Sequence, residues 1–239
     1  RSEKLRDNAI IALKFISSKL GERHLPLIIH VLRNGRTTGF HLHVLGKAIH
    51  VLVSNCVKMS PEIATVVFAE IVPSLRANLF DSVQDRLDSK TITHIAEAKP
   101  FYSLKTISLL AAVLKDGDSL IKFVRTFVRM LPESADSRSQ KYFELILHAL
   151  HDGLLRNTSL RVQNLTLLAG SLVEEFITSA VDTDRDIGTS SLAEEYSVKI
   201  HQFAITLLHD ALKYAENLRD KKISCEGDIE ILKATAALM

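Results

Sequence analysis

Glu144, His148 and His151 stand at i, i+4 and i+7 in a stretch with helical spacing, so the three side chains share one face. A carboxylate and two imidazoles so arranged are donor types that zinc accepts, and a helical metal-dependent enzyme could be built on them. Zinc would still need a further ligand or a water, and no cysteine or other histidine cluster lies near in sequence. A hydrogen-bonded histidine pair on a packed helix is the plainer reading of the same pattern. His41 and His43, two residues apart, project to different sides of a helix and cannot share an ion there. Asp182, Asp184 and Asp186 begin like a calcium loop, but Ile187 occupies the position that needs glycine and Ala193 the one that needs glutamate. A flexible acidic loop is the plainer reading. Cys56 has His50 and Lys58 nearby in sequence but no group to orient a base, and no glycine-rich phosphate loop is present. Cys56 and Cys225 are far apart and match no metal or redox spacing. These residues predict no catalytic centre, no cofactor, no metal and no small-molecule substrate.

Basic residues form the other set with chemical potential. Lys122, Arg125 and Arg129 fall at i, i+3 and i+7 opposite Leu120, Phe123, Val124 and Phe127, a cationic stripe about two helical turns long. Such a stripe can follow a phosphate backbone or be a solvated face. Arg33 and Arg36 bracket the turn at Gly35 that leads to a helix start at Thr38, where backbone N–H groups and two guanidinium groups could hold a phosphate. Arg219, Lys221 and Lys222 cluster at a helix end, where they complement the helix dipole. Thirty basic residues against twenty-eight acidic ones leave a net charge of +2, without the clear excess of a dedicated nucleic-acid binder.

The elements that carry these residues are helices. The 239 residues are 46% hydrophobic, enough for a continuous core, and no apolar run reaches the length of about 18 residues expected of a membrane span. Apolar residues recur at helical spacing from end to end, and no segment sustains strand alternation. A first helix over Ser2 to Leu20 carries Leu5, Ala9, Leu13, Ile16 and Leu20 on one face and stops at Gly21. A second runs from Arg23 to Arg33 with Leu25, Ile28, Ile29 and Leu32 inward, and a third runs from Thr38 to Asn55 with Phe40, Val44, Leu45, Ile49 and Leu52. Ser60 before Pro61 signals a fourth, carrying Ile63, Val67, Ile71 and Leu75, with Pro73 expected to kink or end it. Later helices are expected over 101–114, 118–130, 140–154, 159–179 and 192–219, the last with Tyr196, Ile200, Phe203, Leu207, Leu208, Leu212 and Tyr214, and a final one starts near Glu226. Loops are expected near 81–100, 132–139 and 181–191. Units of about 35 to 45 residues without a strict consensus predict an all-α, HEAT/armadillo-like helical-repeat solenoid, with residues 1–239 as one block. Arg1 is not an initiator methionine and Ala236 to Met239 reads as helix interior, so an excerpt of a longer array is expected.

Residues 25–53, LPLIIHVLRNGRTTGFHLHVLGKAIHVLV, form a proline-started helix, a basic glycine-containing turn and a second amphipathic helix. This stretch resembles the giant HEAT-repeat protein of the small-subunit processome, the "down-regulated in metastasis" family. Residues 79–111, LFDSVQDRLDSKTITHIAEAKPFYSLKTISLLA, resemble a second element of that family in order and spacing. The resemblance implies a non-catalytic scaffold of the nucleolus and nucleus that acts in ribosomal RNA processing. Its implied partners are processome proteins and small-subunit ribosomal RNA precursor, with no membrane role. Arg33, Arg36, Lys122, Arg125 and Arg129 are then the candidate RNA or partner contacts. The rival readings are a HEAT-type nuclear transport or signalling-complex scaffold and the metal-dependent enzyme above.

Overall fold

The computed structural model describes residues 3–35, 40–56, 59–76, 101–113, 137–157, 166–171 and 190–220. Regular structure among them is helical throughout, with no strand, in keeping with an all-α chain. Contacts divide it into two compact units, Arg1–Val113 and Leu114–Met239.

In the first unit α1 spans Glu3–Leu20, a 3-10 turn spans Glu22–His24, and α2 spans Leu25–Gly35. They are followed by α3 at Phe40–Asn55, α4 at Pro61–Arg76 and α5 at Phe101–Val113. Gly21 ends α1 at φ +81°, a backbone region that favours glycine, and its N–H donates to the Ser17 carbonyl at 3.0 Å. Ser60 caps α4 as its sequence predicts: the Ile63 N–H donates to Ser60 Oγ at 3.4 Å and the Ala64 N–H to the Ser60 carbonyl at 2.8 Å. Pro73 does not end α4, which continues to Arg76. The proline removes one backbone donor near the helix end, and the buried Ile71, Val72 and Leu75 hold that last turn in place.

Packing follows alternate helices. α1 lies against α3 and α3 against α5, while α2 lies against α4. Smaller contacts join α2 to α3, α3 to α4 and α4 to α5. Leu25 and Ile29 of α2, Leu45, Ile49 and Leu52 of α3, and Val67, Ile71 and Leu75 of α4 are buried, in the periodicity the sequence predicts. Ile107, Leu110 and Ala111 complete this core from α5.

One expected face is corrected. In α1 it is Ile10 and Ser17 that are buried, whereas Leu5, Ile16 and Leu20 stay exposed. The side of α1 that holds Ile10 and Ser17 also carries Asp7, whose carboxylate accepts from Lys47 Nζ on α3 at 2.9 Å.

The second unit is built on α6 at Ser137–Leu155 and α7 at Ser190–Asp220, with residues 166–171 also helical. α6 begins at Ser137 rather than Gln140, inside the stretch expected to be a loop. Phe143 meets Tyr196 edge to face at 5.0 Å, and Ile146, Leu150, Ile200, Ala204 and Leu207 fill the core. Tyr196, Ile200, Phe203, Leu207 and Leu208 are buried as their spacing predicts. Of the expected loop at 181–191, Ser190 and Ser191 instead begin α7; the rest of it, the expected loop at 81–100, and the helices at 118–130 and from Glu226 lie outside the described residues.

Candidate partner-binding surfaces

Among the predicted contacts only Arg33 falls within the described residues; Arg36, Lys122, Arg125 and Arg129 lie outside them. Arg33 is anchored on α4. Its guanidinium donates to the Glu70 carbonyl at 3.3 Å and stands 3.5 Å from the Glu70 carboxylate. His30, one turn earlier on α2, donates from Nδ1 to the same carboxylate at 3.0 Å, and its Nε2 accepts from Asn34 Nδ2 at 2.8 Å. Glu70 thus receives two cationic or donor side chains from one face of α2. The sequence gives no hint of this pairing, because Glu70 lies 37 residues beyond Arg33.

The Glu144, His148 and His151 face lines a cleft of about 350 Å³ between α6 and α7, floored by Leu147 and Phe203. Its members are committed to different partners. Glu144 accepts a short hydrogen bond from Lys199 of α7, and this bond, with the charge of Lys199, draws its carboxyl below the usual range. His151 Nε2 and Asp210 Oδ2 share a hydrogen bond of 2.6 Å. The triad that could have framed a zinc site is therefore split between two helix-to-helix pairs. Among the described residues no three His, Cys, Asp or Glu side chains stand close enough to hold a metal. His41 and His43 lie on α3 with side chains outside those described, and the acidic run at Asp182, Asp184 and Asp186 is likewise outside.

His50 is turned into the contact between α3 and α5. Thr106 donates its hydroxyl to the Tyr102 carbonyl at 2.8 Å, so its oxygen accepts from His50 Nδ1 at 3.3 Å, and the imidazole leans on the Tyr102 ring at 5.5 Å. Burial, and then the charge of Lys105, push the imidazole below its ordinary value. Cys56 is half-buried at the end of α3. Burial and the nearby Glu22 carboxylate raise its thiol, against a smaller opposing pull from Ser17, so the sulfur is held as a thiol at neutral pH. Neither residue has the arrangement of an activated nucleophile and base.

Exposed apolar side chains gather on the first two helices. Leu5, Ile11, Phe15, Ile16 and Leu20 of α1 and Leu27 and Val31 of α2 are all exposed. Leu27 and Val31 lie on the side of α2 opposite the buried Leu25 and Ile29. No described helix is long and apolar enough to cross a membrane.

No curated protein and no solved structure matches the chain. The family model of the U3 small nucleolar RNA-associated protein 20 domain matches residues 1–173, a span that includes both segments resembling the processome family. With most of its length matched, the chain belongs to the U3 small nucleolar RNA-associated protein 20 domain family.

Proposed function

We propose that the chain is a non-catalytic scaffold, a solenoid of stacked helical hairpins forming one block of a longer array, which holds small-subunit ribosomal RNA precursor and processome proteins during RNA processing. As a family member it is a nucleolar component of the small-subunit processome and takes part in ribosome biogenesis. The scaffold reading is carried by the alternate packing of the first unit. α1, α3 and α5 follow one another in contact while α2 and α4 pair beside them, as hairpin repeats require when each buries its apolar face on the next. Arg33, Arg36, Lys122, Arg125 and Arg129 are the proposed contacts to RNA phosphates or acidic partners. Arg33, the one of them among the described residues, keeps 24% of its side chain exposed while paired with Glu70.

The test is affinity purification of the tagged parent protein, with RNA sequencing and mass spectrometry of the eluate. The expected result is small-subunit ribosomal RNA precursor together with processome proteins. Charge reversal at Arg36, Lys122, Arg125 and Arg129 should reduce the RNA recovered while the protein stays folded. Recovery of transport cargo or signalling subunits without pre-ribosomal RNA would overturn the reading.

A further inference from the structure

We infer that the exposed side of the α3–α5 contact is a stacking site for an unpaired base of single-stranded RNA, an inference that rests on the reading of the chain as an RNA-holding scaffold. Four side chains build it, His50 from α3 and Phe101, Tyr102 and Lys105 from α5. Phe101 and Lys105 stand at i and i+4 on one face of α5, turned away from the buried Ser103, Ile107 and Leu110. The Phe101 ring is 49% exposed, and Lys105 Nζ lies 4.1 Å from its centroid. Half-buried Tyr102 meets Phe101 edge to face, with centroids 5.9 Å apart and planes at 71°. His50 lies 5.5 Å from the Tyr102 ring and is held in place by Thr106 at 3.3 Å. In an edge-to-face pair one ring gives only its edge, so its faces stay open to other partners. α3 and α5 pack on each other, α3 also on α1 and α5 also on α4, so the cluster sits on a completed helix-to-helix contact.

Chemistry selects the occupant. A nucleotide joins a flat π-face to an anion, and an aromatic ring beside an ammonium group is the complementary pair. Neither α3 nor α5 carries an aspartate or glutamate to repel a phosphate. The carboxylate next to them, Asp7 of α1, is taken up by Lys47. Lys105 is exposed, and its charge reaches as far as His50. With Nδ1–H donated to Thr106, the neutral imidazole keeps Nε2 as an acceptor, the group that an amino-bearing base needs. Bases in a duplex are already stacked on one another, so only an unpaired base can use the ring.

The experiment titrates the 239-residue chain into a labelled single-stranded RNA of about twelve nucleotides and into the same strand annealed to its complement, at low salt, read by fluorescence anisotropy. The single strand should bind at least about tenfold tighter than the duplex. At least one of Phe101→Leu and Tyr102→Leu should weaken single-strand binding by about tenfold and leave duplex binding unchanged. Lys105→Gln should weaken both and flatten the salt dependence. Leucine keeps the apolar bulk and the helix propensity, so unchanged circular-dichroism melting will show that the variants fold. The inference fails if single strand and duplex bind equally, or if both leucine variants hold the single strand like the parent. In either case the RNA-holding reading survives on its phosphate contacts, which charge reversal at Lys122, Arg125 and Arg129 tests separately. Binding of neither RNA overturns the inference, and recovery of pre-ribosomal RNA with the tagged parent then decides the broader reading. An acidic peptide that binds in a Phe101-dependent way when RNA does not also overturns it.

Discussion

Two leucine-to-alanine changes of identical chemistry should separate the core of the first unit from its exposed side. Leu110 is 0% exposed on α5 where that helix packs on α3, whereas Leu20 is 49% exposed at the end of α1. Each substitution removes three carbons. At about 0.8 kcal/mol per buried carbon group, Leu110→Ala loses about 2.4 kcal/mol of transfer energy. The cavity left among Ile107, Ala111 and the α3 side chains brings the total to about 3–4 kcal/mol. Leu20→Ala forfeits about half the transfer energy and encloses no cavity, so its cost is about 1 kcal/mol or less. Hydrogen exchange read helix by helix is the suitable assay, because two compact units need not unfold together. Leu110→Ala should raise exchange in α3, α4 and α5 by about 10²–10³-fold and leave α6 and α7 unchanged. An equal rise in α6 and α7, or equal effects of the two substitutions, would refute both the local-packing argument and the assignment of the two faces.

His50 should make stability pH-dependent. Its folded pKa is depressed below the unfolded value of about 6.5, so its contribution is complete above that pH and is lost as pH falls through the folded pKa. His50→Asn places an amide donor near the Nδ1 position without a titrating proton, and urea midpoints at pH 7.5 and 5.5 should therefore differ less than in the parent. Ser60→Ala removes the acceptor of the Ile63 N–H and should cost about 1 kcal/mol, seen first as faster exchange in the opening turn of α4. In a Cys225→Ser background, Cys56 should alkylate more slowly than a free thiol at pH 7.5, with its rate still climbing at alkaline pH where a free thiol has levelled off.

The sequence is most legible where apolar residues occupy a single stripe. α7 runs for 31 residues, and its predicted inward set from Tyr196 to Leu208 is buried, because the intervening positions are mostly polar and leave one solution. α4 is equally legible from Ser60, Pro61 and the Val67, Ile71, Leu75 spacing, although Pro73 was too close to the helix end to act as a terminator. α1 misleads for the opposite reason. It is apolar almost all the way round, from Leu5 through Ile10, Ile11, Leu13, Phe15 and Ile16, so periodicity alone offers several faces. The side that packs on α3 is marked instead by the pairing of Asp7 with Lys47, residues 40 positions apart, which periodicity does not show.

Long separation also hides the polar pairings. Arg33 and the Gly35 turn stand out by composition, yet the carboxylate that fixes them is on another helix, and Glu144 and His151 find their partners 55 and 59 residues away. Polar side chains at helical spacing show which groups share a face; only packing decides whether those groups face a ligand or each other. In the α6–α7 cleft packing chose the latter, with Lys199 and Asp210 taking the positions a metal would need to compete for. Arg33 is likewise taken up by a neighbouring helix, through Glu70 of α4. α1 obeys the same rule: packing, not periodicity, decides that Ile10 and Ser17 are its buried residues among those described.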